Sequence, residues 1–114
     1  MTRLGVLASG RGSNLRAILE ACARPGFPAR VAVVISDREG APALERARAA
    51  GVEALWVNPK DFGNREAYDR ALVRELEARG VGLVCHAGWM RILATLWVSA
   101  RPRCFQVIPA SVDR

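Results

Sequence analysis

Arg3-Leu4-Gly5-Val6-Leu7-Ala8-Ser9-Gly10-Arg11-Gly12-Ser13-Asn14-Leu15 is the stretch on which the fold turns. Residues 3–8 read as a short buried strand, Ser9 to Gly12 as a tight turn, and the chain beyond as a helix. Leu15, Ile18, Leu19 and Cys22 recur at i, i+3, i+4 and i+7, the spacing of one apolar helix face. Ser13 or Asn14 can serve as its N-cap, and Pro25-Gly26 stops it.

Outward from this unit the alternation repeats. Val31-Ala32-Val33-Val34-Ile35 has β-branched residues on both parities, as a strand covered on both faces requires. A helix from about Ala43 to Ala50, closed by Gly51, leads to a short strand around Val52 to Val57 and the loop Asn58-Pro59-Lys60-Asp61. Asn64 caps a third helix that runs to about Arg79, with Tyr68, Leu72 and Leu76 as its apolar stripe and Gly80 at its end. Val81 to Cys85 reads as a fourth strand, Leu96 to Ala100 as a short helix, and Cys104 to Ile108 as a fifth strand. This order predicts an α/β fold, an open, mostly parallel twisted sheet with helices on both faces and right-handed crossovers. At 114 residues the chain suits a single domain over residues 1–114.

Composition narrows the function classes. A hydrophobic share of 51% and a charged share of 25% are those of a soluble globular protein. No run of about 18 apolar residues could span a bilayer, and the start, Met1-Thr2-Arg3-Leu4, lacks a signal-peptide core. The expected location is therefore cytoplasmic, with no membrane partner. Cys22, Cys85 and Cys104 fit neither a disulfide framework nor a zinc spacing, so they read as reduced thiols and no metal is expected. The net charge of +6 is dispersed: Arg46, Arg48, Arg70, Arg74 and Arg79 alternate with Glu45, Glu66, Asp69, Glu75 and Glu77, the pattern of a solvated salt-bridge face. Without a contiguous basic stripe, nucleic acid is not an expected partner.

Ligands of open α/β sheets bind at the carboxyl ends of the strands, which directs attention to Ser9-Gly10-Arg11-Gly12-Ser13-Asn14. Two glycines let the backbone approach an anion, and the following helix offers unpaired N–H groups at its positive end. Gly10 and Gly12 match the start of a dinucleotide fingerprint, yet Leu15 holds the place of its third glycine. No Gly-Lys-Ser/Thr tripeptide follows for a triphosphate. A terminal monophosphate on a small molecule fits best, with Asp37 a candidate ribose contact.

Four segments in order resemble one family, the glycinamide ribonucleotide formyltransferases. They are Ser9 to Leu15, Leu44-Glu45-Arg46-Ala47, Arg65-Glu66-Ala67-Tyr68-Asp69 and Ala87-Gly88-Trp89-Met90-Arg91-Ile92-Leu93. The resemblance implies a Rossmann-like formyltransferase fold and transfer of a formyl group from 10-formyltetrahydrofolate to the amine of 5'-phosphoribosylglycinamide in purine biosynthesis. It implies that Gly12, Ser13 and Asn14 hold the substrate phosphate, and that Arg65, Met90, Arg91, Ile92 and Leu93 contact the folate. The family's Asn-x-His-Pro-Ser motif should fall near Gln106, where the chain reads Phe105-Gln106-Val107-Ile108-Pro109-Ala110-Ser111. Aligning the prolines sets Gln106 and Ile108 opposite the asparagine and histidine, and an ungapped alignment sets Val107 and Pro109 there. Neither supplies an imidazole, so no catalytic residue is assigned.

His86, the single histidine, is a candidate substitute base or a structural residue, and Trp89 and Trp97 are candidates for pterin stacking or core packing. Two rival readings stand beside the enzyme: a non-catalytic phosphate- or folate-binding fragment or degenerate homologue, and a nucleotide-dependent oxidoreductase, which Leu15 disfavours. The family's further strands and C-terminal helix are not found before Arg114, so a homo-oligomer joined through the sheet edge at the fifth strand is also expected.

Overall fold

The computed structural model of the chain describes residues 2–8, 13–86 and 107–109. Along them run β1 (Thr2–Leu7), α1 (Ser13–Cys22), β2 (Ala29–Ser36), α2 (Pro42–Ala49), β3 (Glu53–Trp56), a 3-10 turn (Pro59–Asp61), α3 (Arg65–Ala78), β4 (Leu83–His86) and β5 (Val107–Pro109). The strands form one sheet in the order β3-β2-β1-β4-β5, and every neighbouring pair is parallel. The α/β architecture expected from the apolar runs is the one found.

Strand alternation divides the core in two. Leu4, Val6, Val34 and Cys85 face Leu15 of α1 and Ala43, Leu44 and Ala47 of α2. Leu7, Val33, Ile35 and Val84 face Tyr68, Leu72, Val73 and Leu76 of α3. Among the described residues two helices thus cover one face and one covers the other, which is why β2 needs apolar residues at both parities.

α3 is fixed at both ends, and its ends define the two edges of the sheet. Asn64 Oδ1 accepts from the Ala67 N–H at 2.8 Å, the side-chain cap its position predicts. One turn on, the buried Tyr68 hydroxyl donates to the Val57 carbonyl at 2.8 Å, just beyond the carboxyl end of β3. At the far end Arg79 grips Glu53, the first residue of β3, through Nε and Nη2 at 2.8 and 2.7 Å, and also reaches Glu75 at 2.9 Å. The hydrogen bond from Arg79 holds the Glu53 carboxyl below its ordinary range, and the same bond pushes the Arg79 guanidinium up. α3 therefore runs antiparallel to the strands, from carboxyl edge to amino edge.

Several sequence expectations need correction. Ser13 and Asn14 are the first two residues of α1, so the cap position falls before both of them and outside the described residues. Asp69 is not on the solvated face: it is 2% exposed, because 69, 72, 73 and 76 form the i, i+3, i+4, i+7 stripe that meets the sheet. The salt-bridge reading holds for Arg48 with Glu45 and for Arg79 with Glu75. β4 is shifted to Leu83–His86, since the Val81 N–H is still bonded to the Leu76 carbonyl of α3 at 3.1 Å and the chain first meets β1 through the Gly82 N–H, which bonds the Arg3 carbonyl at 2.9 Å. β3 is shorter than expected, and Pro59–Asp61 forms a turn capped by Asn58 Oδ1, which accepts from the Lys60 N–H. β5 covers Val107–Pro109, while Cys104, Trp89, Trp97 and the helix expected over 96–100 lie outside the described residues. Gly51, at φ 76, supplies the left-handed residue that ends α2, as its position predicted.

Candidate functional site

The strand order itself creates the site. From β1 the chain winds to β2 and β3 on one side, then crosses to β4 and β5 on the other. β1 and β4 are thus the neighbours between which the winding reverses, the switch point at whose carboxyl ends such sheets bind ligands in a crevice. Leu7, the last residue of β1, stands in register between Ile35 of β2 and His86 of β4. The Ala8 N–H still bonds the Ile35 carbonyl at 3.0 Å, and the connection from there enters α1 at Ser13. The helix N-terminus with its free backbone donors is therefore delivered to the crevice by β1, the central strand.

The neighbouring elements bring further groups to this edge. β2 ends at Ser36, which is fully buried and whose hydroxyl accepts from the Arg38 N–H at 3.1 Å, with Asp37 held between them. The Val57 N–H bonds the Ser36 carbonyl at 3.0 Å and the Val57 carbonyl receives the Tyr68 hydroxyl, so the start of α3 is tied to the same edge. Arg65, the first residue of α3, is exposed there. His86 closes β4, paired on its other side with Pro109 of β5. Of the sequence-predicted residues, Ser13, Asn14 and Arg65 thus share one edge of the sheet, while Gly12, Met90, Arg91, Ile92 and Leu93 lie outside the described residues.

Sequence reasoning missed the link that places Arg65. Tyr68 is legible as an apolar position, but that its hydroxyl fastens α3 to the chain leaving β3 has no signal in spacing. Leu15 was legible, and it is completely buried among β1, β2 and α2. Where a dinucleotide loop needs a glycine for close approach of helix to strand, this chain inserts a full side chain into the core.

Neither Cys22 nor Cys85 is an activated nucleophile. Burial pushes both Cys85 and Cys22 above the ordinary thiol range, so neither is a thiolate at neutral pH. Among the described residues no cluster of His, Cys, Asp and Glu could hold a metal ion, and no helix is long and apolar enough to cross a membrane.

An all-parallel sheet with helices on both faces, one of them entered directly from the central strand, defines an α/β domain of the Rossmann-like class. Residues 2–110 match the formyl transferase family, and the chain belongs to that family. It is 50% identical to glycinamide ribonucleotide transformylase 1 from Symbiobacterium toebii, whose crystal structure superposes with a TM-score of 0.88 over 94% of this chain and 50% of that one. It is 44% identical over 94 residues to the phosphoribosylglycinamide formyltransferase of Escherichia coli (strain K12), covering 82% of this chain and 44% of that protein. It is 45% identical over 115 residues to the trifunctional purine biosynthetic protein adenosine-3 of Drosophila melanogaster, covering 98% of this chain and 8% of that protein. The chain thus spans about half the length of the single-function relatives and a small part of the trifunctional one.

Proposed function

We propose that the crevice binds 5'-phosphoribosylglycinamide and 10-formyltetrahydrofolate, and that the reaction it serves is formyl transfer from the folate to the glycinamide amine in cytoplasmic purine biosynthesis. The observation that carries this reading is the delivery of the α1 N-terminus and of Arg65 to one edge of a sheet whose family is that of the formyl transferases. In this reading the backbone N–H groups of Gly12, Ser13 and Asn14 hold the phosphate. Arg65 meets the anionic part of the folate, and Met90, Arg91, Ile92 and Leu93 contact its remainder. Arg65 is suited to that role because it is exposed at the positive end of α3.

Calorimetry with inorganic phosphate tests the substrate half of the proposal. Replacing Gly12 with Val puts a branched side chain where backbone must approach the anion. Each hydrogen bond to a charged group contributes about 1.5–3 kcal/mol, so losing two should weaken phosphate by roughly 100-fold or more. An unchanged affinity would remove the phosphate assignment.

The proposal extends to self-association. Among the described residues β5 has β4 as its sole strand neighbour, and an edge strand of Val107 and Ile108 offers a template for a second copy. Light scattering at low micromolar concentration should return a multiple of the chain mass; a single-chain mass would remove this part.

A further inference from the structure

We propose that β3 is a docking edge for a second copy of this chain, the two strands pairing antiparallel about a two-fold axis at Leu55. The inference is independent of the formyl-transfer reading and concerns the end of the sheet opposite β5. Among the described residues β2 is the sole strand neighbour of β3. The Val57 N–H bonds the Ser36 carbonyl, and residues of a parallel ladder alternate. Positions 53, 55 and 57 therefore turn their backbone groups to β2, while Ala54 and Trp56 turn theirs outward. Trp56 is also, among the described residues, the exposed large hydrophobic side chain, 41% accessible. A lone exposed apolar residue is ordinary, but one on a strand with unpaired backbone groups marks an edge open to pairing. The charge that would guard this edge is turned aside, since Arg79 grips the Glu53 carboxylate at 2.8 and 2.7 Å.

The strand supplies its own complement, which is why the occupant is a second copy. Outward-facing residues must meet each other for their N–H and carbonyl groups to bond, so Ala54 pairs with itself, Trp56 with itself, or Ala54 with Trp56. Pairing Ala54 with Ala54 would need the Val52 N–H, already bonded to the Ala47 carbonyl at 2.9 Å. Pairing Trp56 with Trp56 would set the indoles directly opposite and need the Asn58 carbonyl, which already accepts from the Asp61 N–H at 3.1 Å. Pairing Ala54 with Trp56 uses only unengaged groups and lets each pair exchange both its hydrogen bonds. Each indole then lies across the methyl of the other copy's Ala54 on the α2 face, with Cβ atoms about 5 Å apart, and Leu55 meets Leu55 on the α3 face. Glu53 falls opposite Val57, so no like charges face each other. The flank of α3 that reaches both ends of β3, through Tyr68 and Arg79, carries Ala71 between them, a side chain small enough to admit the other copy.

Amide exchange of the unchanged chain, followed by NMR, needs no variant. The Ala54 and Trp56 amides should exchange freely in dilute solution and slow by roughly tenfold or more as the concentration is raised, while the Val57 amide stays protected throughout. Trp56→Lys places a charge on the edge at an exposed position, so its circular-dichroism spectrum should stay that of the unchanged chain. Its self-dissociation constant, measured by sedimentation, should rise roughly 30-fold or more, as loss of a central aromatic anchor does. Free exchange of both amides at every concentration overturns the inference. Protection that is the same at every concentration also overturns it, because residues of the same chain would then cover the edge. Self-association undiminished in Trp56→Lys overturns it as well and leaves pairing through β5 in place.

Discussion

Incubated with 5'-phosphoribosylglycinamide and 10-formyltetrahydrofolate, the 114-residue chain is expected to release tetrahydrofolate no faster than a protein-free blank. Attack of the amine on the formyl carbon requires a group to take the amine proton and a donor to stabilise the tetrahedral oxyanion. Each contributes about two to four orders of magnitude, so absence of both leaves only the gain from holding two reactants together. At the positions that resemble the family's motif stand Gln106 and Ile108 in one alignment, and Val107 and Pro109 in the other. Isoleucine, valine and proline side chains have no proton to exchange, and the glutamine amide is one methylene longer than the asparagine it replaces. Pro109 is in register with His86, so the chain's imidazole lies on the strand beside this segment. Coupled spectrophotometry with both substrates decides the matter: turnover that depends on the phosphoribosyl amine and disappears in His86→Ala would overturn the prediction and make His86 the base.

The parts of the fold that were legible are those in which one local cause sufficed. Val31 to Ile35, apolar on both parities, announced a strand buried on both sides, and Asn64 and Gly51 announced helix ends through their own cap chemistry. Asp69 misled because residue type was weighed above phase: a carboxylate looks solvated, yet its position on the stripe through Leu72, Val73 and Leu76 turns it inward. The boundaries of β4 misled because Val81 is buried and apolar without joining the ladder, its N–H being bonded to the Leu76 carbonyl at the end of α3. What joins distant segments was not legible. Arg79 and Glu53 are 26 positions apart, and nothing in either neighbourhood announces their pairing.

The site shows the same division. The phosphate half of the proposed site was readable from one short segment, because the donors that a glycine-rich turn and a helix start offer belong to the backbone of that segment. The common edge of Arg65 and His86 depends instead on the crossover to β4 and on one tyrosine hydroxyl, both products of the assembled sheet. Function here is read from topology as much as from motif: the order β3-β2-β1-β4-β5 puts the exit of β1 next to the exit of β4.

Gly5→Val is expected to prevent stable folding, and Gly5→Ala to lower stability by about 1–3 kcal/mol, the usual cost of overfilling a packed core. Gly5 lies in β1, the central strand, where the ladder to β2 shifts register between Leu4 and Gly5. On the α3 side a Cβ at this position would stand 2.5 Å from Leu76 Cδ2 and 3.3 and 3.4 Å from the two methyls of Val81. The Leu76 methyl is the end of a flexible side chain, but that side chain is fully buried in the cluster with Leu72, Val73 and Val84, so moving it means repacking the core. Removing glycine from a strand interior ordinarily gains about 0.5–1 kcal/mol through the unfolded chain, so a net loss requires the collision to exceed that gain. Valine adds two more methyls against the same wall, and total stabilities of domains this size are only about 5–15 kcal/mol. A double-mutant cycle isolates the cause. Because Leu76→Ala removes the colliding methyl, Gly5→Ala with Leu76→Ala should be less destabilised than the sum of the two single changes. Thermal unfolding is the readout, with about 4 °C expected per kcal/mol. Strict additivity, or a melting temperature for Gly5→Ala equal to or above that of the unchanged chain, would show that α3 does not press on β1 at this point.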